Sequence, residues 1–141
     1  GGDADEDSPL KPLGNSEQTD RLLLSEKAVM EAGGNVVRLV GLYHAQRGAH
    51  TFFLKKGEVE RWGGYCINLI HYEDAASLAV AALQGGTRGQ LYVGCDGVPV
   101  TLEEMMQAVA GCGNFEGSCT FTGEAGGDSG KRMSNGKTRA A

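Results

Sequence analysis

The sequence predicts an α/β fold in which short, largely parallel strands alternate with helices. Three observations carry that prediction. Segments with helical apolar spacing alternate with short β-branched runs along the chain. Glycines or turn residues stand at most of the breaks between them. The run Val36–Val40 is short, rich in β-branched residues and bounded by glycines, the pattern of a buried strand.

The elements follow in order. Residues 1–15 read as an extended acidic lead-in, because Pro9 and Pro12 bias the residues before them away from helix. Leu22, Leu23, Ala28, Val29 and Ala32 recur at helical spacing before Gly33-Gly34, which predicts a helix over about 17–32. A buried strand is expected at Val36–Val40, a loop from Gly41 to Gly48, and a short helix over Thr51–Lys56. A second strand, Cys66–Ile70, leads through Tyr72, Glu73 and Asp74 into an alanine-rich helix over Ala75–Leu83. The acids suit the positive end of that helix, and Gly85-Gly86 closes it. A third strand is expected at Gln90–Gly94. Asp96-Gly97 marks a turn, and Thr101 with Glu104 forms a capping box that opens a helix over about 102–110. Residues 111–141 hold eight glycines and little periodicity, so loops, one short strand near Thr120-Phe121 and a loose end are expected. The organisation is thus a lead-in at 1–15, a layered region at 16–111 and a glycine-rich loop and tail at 112–141. Three strands are few for a self-standing sheet.

Composition narrows the function classes. The chain has 23 glycines in 141 residues, more than twice the usual ~7%, but only 3 prolines and no three-residue glycine period. Collagen and wholesale disorder are excluded. The net charge of −5 is local: residues 1–20 carry six acids and one base, and the remainder carries twelve of each sign. With no domain-wide positive field, nucleic-acid binding is not expected. No apolar run approaches the ~18 residues of a membrane span. The four cysteines, at 66, 95, 112 and 119, match no metal-site spacing; no metal site is expected, and buried free thiols in a reducing compartment are the simpler reading for Cys66 and Cys95.

Phosphate-loop and nucleophile motifs fail on inspection. Gly111 and Gly113 are followed by Gly117, one residue too late, and they come after a helix. The stretch Ala125–Arg132 departs from a nucleotide loop at both ends. No G-x-S-x-G and no H-E-x-x-H occurs. His44 and His50 lie after the first strand and His71 ends the second, where α/β sheets place ligands. These three are the candidate acid/base residues, each weighed against a purely structural histidine. Arg47 with His50 is the candidate pair for holding an anionic substrate group.

Several segments together resemble the C-terminal half of an extended or atypical short-chain dehydrogenase/reductase, the NAD-dependent epimerase/dehydratase group. Asp5–Pro12 resembles the segment before that family's active-site helix, and Ser25-Glu26-Lys27 resembles the helix end. Val37–Tyr43 is similar to its Leu-Arg-x-x-x-x-Tyr strand and loop. Asn68–Ala76 is similar to its Ile-His-x-x-Asp-x-Ala step, and Lys131–Asn135 to its late Lys-Arg-x-x-Asn segment. Arg47–Thr51 and His71–Ala79 are most similar to plant and algal plastid members. The resemblance implies an incomplete Rossmann-like layered fold that lacks an N-terminal half and looks truncated at both ends. It implies NAD or NADP in the full-length protein, with neither held tightly by the fragment, which is expected to be inactive alone. Gly41, Leu42 and Tyr43 are the implied cofactor contacts, Arg47 and His50 the substrate contacts, and Asp74 a helix cap rather than a ligand contact. A small-molecule substrate of unknown identity and a chloroplast stroma location, otherwise a cytoplasmic one, are implied. The family's Tyr-x-x-x-Lys pair is absent: none of the four tyrosines is followed four residues on by lysine. Two readings stay open, an atypical NAD(P)-binding protein and a non-catalytic nucleotide-sensing or scaffold module with a vestigial pocket.

Overall fold

The computed structural model of the chain describes residues 2–85 and 87–141, so Gly86, half of the expected helix stop, lies outside the described residues. Ser16 opens α1 (Glu17–Glu31) by accepting the Thr19 N–H on its hydroxyl, and Gly33, with φ +73°, follows its end. The expected first strand is β2 (Val36–Leu39). It is half-buried rather than buried, and Leu39 is 43% exposed. The reason is that β2 pairs with one neighbour only, β7 (Leu91–Gly94), in parallel register from Val36 opposite Leu91 to Leu39 opposite Gly94. The long crossover between these parallel strands ends in α3 (Tyr72–Gln84), which leads into β7. Both α1 and α3 pack on β2.

Two expected segments are corrected. The loop Gly41–Gly48 begins as a strand, β3 (Gly41–Tyr43), parallel to β6 (Leu69–His71). The expected single strand Cys66–Ile70 is two, β5 (Cys66–Ile67) and β6, broken at Asn68. The break has a clear cause. The Asn68 side chain donates to the Lys131 carbonyl and accepts the Met133 N–H, both at 2.8 Å. Freed by that break, β5 pairs antiparallel with β8 (Val100–Thr101) while β6 pairs with β3. The short helix, α2 (Ala49–Lys56), starts two residues early because the Thr51 hydroxyl donates to the Gly48 carbonyl at 2.8 Å.

The capping box is as expected. Thr101 and Glu104 exchange bonds of 2.7 and 3.1 Å and open α4 (Leu102–Gly111). Leu102, Met105 and Met106 fall on one helical stripe and pack with Phe53 of α2 into the largest apolar cluster, which Phe121, Val59 and Tyr65 complete. Phe121 belongs to β9 (Thr120–Phe121), the expected late strand, which pairs with β4 (Glu58–Val59). Residues 111–141 are better ordered than a loose end. β10 (Arg132–Met133) pairs in parallel with β1 (Asp3–Ala4), and a last helical turn, α5 (Gly136–Ala140), packs on β7.

The outer edge of β7 is closed by side chains. At Val93, Glu6 accepts the backbone N–H at 2.9 Å and the Thr138 hydroxyl donates to the carbonyl at 2.8 Å. The acidic lead-in is therefore part of the fold, and Val93 has no exposed surface.

Candidate functional site

Parallel strands end together, and three ends meet here. β3 ends at Tyr43, β6 ends at His71, and β7 is followed closely by Asp96. A cleft of about 820 Å³ opens at these carboxyl ends and runs along α4. Position alone marks it, because ligands of open α/β sheets bind outside the carboxyl ends of the strands.

One end of the cleft is aromatic and polar. The Tyr43 and His71 rings meet edge to face with centroids 5.3 Å apart. His71 is also the N-cap of α3: its Nδ1 accepts the Glu73 N–H at 3.2 Å, which puts the ring proton on Nε2. This corrects the expected cap, for Asp74 sits exposed in the first turn of α3 and does not cap it. The His44 Nδ1 is held by Gln46, 3.2 Å from its backbone N–H and 3.1 Å from its side-chain Oε1. His50 is buried, its Nε2 lying 3.3 Å from the Ala45 carbonyl and its ring edge-on to Phe115 at 5.2 Å. With Nε2 donating there, Nδ1 is left as an acceptor. The three histidines thus bring polar ring nitrogens to one cavity, with a donor at His71 Nε2.

The other walls are apolar. Met105, Ala108 and Val109 of α4 line it with Leu69, Val98 and Val100. Asp96 and Glu104 are the carboxylates among its described lining residues, and both are engaged. Asp96 accepts the Val98 N–H at 2.9 Å, and Glu104 serves the capping box. The backbone N–H and hydroxyl of Thr101 hold the Glu104 carboxyl below the usual carboxylate range.

The sequence-predicted residues divide. Tyr43, His44, His50 and His71 line the cleft together, whereas Gly41, Leu42 and Arg47 do not. Gly41 packs against β6, where a Cβ would meet Leu69 and the Asn68 carbonyl at 3.0 and 3.1 Å. Arg47 is exposed and lies over the Tyr72 ring at 5.9 Å, while His44 contacts the same ring at 5.1 Å. The Arg47–His50 pair is therefore not assembled on one wall of the cleft. The α4 wall and Phe115 were missed, although the stripe of Met105, Ala108 and Val109 was readable as one helix face.

Whether these residues suit a dinucleotide depends on a phosphate cradle. The strand–turn–helix closest to one is β3–α2, with Gly48 before the helix at φ +148°. A Cβ there would meet the Cβ of Tyr43 at 2.7 Å, so the glycine lets the turn close on its own strand rather than on a ligand. Gly14, open before α1 at φ +91°, already gives its N–H to the Asp20 carboxylate at 3.0 Å. Nor do three His, Cys, Asp or Glu side chains gather as a metal set among the described residues. No helix of the described residues is long and apolar enough to cross a membrane.

No protein-family model matches the chain, and no curated protein matches it. Solved structures do. The chain superposes on MoeE5 in complex with UDP-glucuronic acid and NAD with a TM-score of 0.75 at 14% identity, over 99% of this chain and 52% of that one. On dTDP-glucose 4,6-dehydratase from Bacillus anthracis in complex with NAD the TM-score is 0.72 at 16% identity, over 99% and 49%. On a functionally unknown conserved protein from Silicibacter pomeroyi it is 0.72 at 23% identity, over 99% and 54%. The chain spans about half the length of each. At these identities the likeness is one of fold: an α/β, Rossmann-type arrangement matched over about half of each neighbour.

Proposed function

We propose that this chain is the substrate-side half of an NAD(P)-binding Rossmann protein of the epimerase/dehydratase type. The observation that carries the reading is the cleft at the carboxyl ends of β3, β6 and β7, lined by Tyr43, His44, His50 and His71. The fold likeness supports it, because two of the neighbours are complexes with NAD. Tyr43 is the residue best placed to touch the nicotinamide end of the cofactor, with Gly41 and Leu42 shaping the strand behind it. The phosphates would rest on the half of the fold that the neighbours have beyond this chain's span. Residues 1–141 alone are then inactive and hold neither NAD nor NADP tightly. The acid/base candidates are His44, His50 and His71. Arg47, turned outward over Tyr72, meets an anionic group only if the 44–48 turn moves. A plastid location rests on the similarity of 47–51 and 71–79 alone.

One observation favours the non-catalytic reading. α1 contains no tyrosine, so the family's proton-transferring Tyr-x-x-x-Lys pair has no counterpart there. On this reading the protein is atypical, and nucleotide sensing is favoured over standard redox turnover. NADPH fluorescence titrated with the natural chain that carries residues 1–141 tests the proposal. Enhancement that Tyr43→Ala weakens is expected. No binding up to millimolar NADPH sinks it, and binding without hydride transfer to any carbonyl substrate selects the sensing reading.

A further inference from the structure

The cleft contains an unusual omission for a site on this kind of fold. Among its described lining residues none is lysine or arginine. Arg47, the nearest sequence candidate for an anion, has its guanidinium on the outer side against Tyr72. The only charged side chains at the cleft are the carboxylates of Asp96 and Glu104, and the Glu104 carboxyl is held ionised by its capping bonds. A nucleoside diphosphate would bring two or more negative charges beside those carboxylates with no cation to pair them. Like charges set side by side with no cation between them repel.

What the cleft does offer is different. An apolar lining is formed by Met105, Ala108 and Val109 together with Val98, Val100 and Leu69. At one end, the Nε2–H of His71 supplies a donor, and the rings of His44 and His50 supply further polar nitrogens. A volume of about 820 Å³ suits a molecule of cofactor or drug size.

We infer that the cleft takes an uncharged, predominantly apolar organic molecule that presents a carbonyl or hydroxyl to the histidine end, and that it does not take a sugar nucleotide. The inference rests on the reading of this cleft as the ligand site, and it names the ligand class that the walls select. Apolar burial supplies the affinity, and the histidines fix which end of the molecule enters first.

The test uses Nile red, an uncharged apolar dye, titrated into the natural chain that carries residues 1–141, with UDP-glucose as competitor. Ala108 and Val98 are exposed at the cleft, so Ala108→Trp and Val98→Asp alter its walls without entering the core. Nile red is expected to bind with a saturable fluorescence gain. Each variant is expected to weaken that binding about tenfold or more, with an unchanged far-UV spectrum. Millimolar UDP-glucose is expected to leave the dye in place. Displacement by UDP-glucose, absence of saturable dye binding, or dye binding unaffected by both variants overturns the inference. Failure of the NADPH titration alone removes the cofactor reading and leaves these outcomes readable.

Discussion

Glu104 shows how one residue can be both scaffold and wall. Its carboxylate caps the backbone of Thr101, and its side chain borders the cleft. Because those capping bonds lower its pKa in the folded state, their stabilisation is complete above the usual glutamate range and is lost as pH falls through the lowered value. The melting temperature of Glu104→Gln is therefore expected to depend less on pH between about 5 and 3 than that of the natural chain, as thermal scans across that range would show. Arg38 and Glu26 make the opposite case. Their paired side chains are only 23% and 19% exposed, with Nε to Oε2 at 2.9 Å, and Arg38 also reaches the Glu6 carbonyl at 3.4 Å. The hydrogen bond to Glu26 pushes the Arg38 guanidinium up. Glu26→Ala leaves that guanidinium unpaired and is expected to cost about 2 kcal/mol in urea unfolding. Reactivity separates the thiols as well. Cys112 is exposed and Cys95 is buried, where burial pushes its thiol up. A thiol reagent at mild alkaline pH is expected to label Cys112 first and Cys95 last, in order of exposure.

At the scale of elements, local chemistry was legible and remote pairing was not. The Thr101–Glu104 box and the strand at Thr120-Phe121 each lie within a few residues of their own signal. Thr101→Ala is expected to cost about 1 kcal/mol, measured by chemical denaturation. β3 was not legible, because Gly41-Leu42-Tyr43 becomes a strand only against Leu69–His71. The break at Asn68 was hidden for the same reason, since its partners are Lys131 and Met133. Asn35 is a third example. Its amide donates to the Ala82 and Thr87 carbonyls and accepts the Gln90 N–H, fastening the end of α3 to the start of β7. The candidate site was legible to the extent that strand ends were: Tyr43, His44, His50 and His71 were found, and the α4 wall was not. Gly130 gives this scale a sharp test. It has φ +80°, and a Cβ there would fall on the Cys66 backbone. Gly130→Ala is expected to detach β10 and to lower stability by about 2 kcal/mol or more, read by urea unfolding.

Over the whole molecule, one side is better sealed than the other. The α2–α4 side has a closed cluster around Leu102 and Phe53. On the other side α1 has no buried residue, and Leu22, Leu24, Val80 and Leu83 are 67%, 55%, 51% and 85% exposed. So much exposed apolar surface on two helices that flank a two-stranded sheet predicts a broad, weakly cooperative melt for residues 1–141 studied alone. A single sharp calorimetric transition of a monomer would contradict this.

The seal on β7 has a consequence in time as well as in space. Glu6 and Thr138 stand 132 residues apart and converge on the two backbone groups of Val93. Loop closure over such a span is slow and entropically costly, so it follows the local turns and helices during folding. The amide proton of Val93 then works as a clock for the final step. In pulse-labelled refolding it should gain protection after the amides of α4 do, and Glu6→Ala should strip that late protection while leaving the early α4 signal in place.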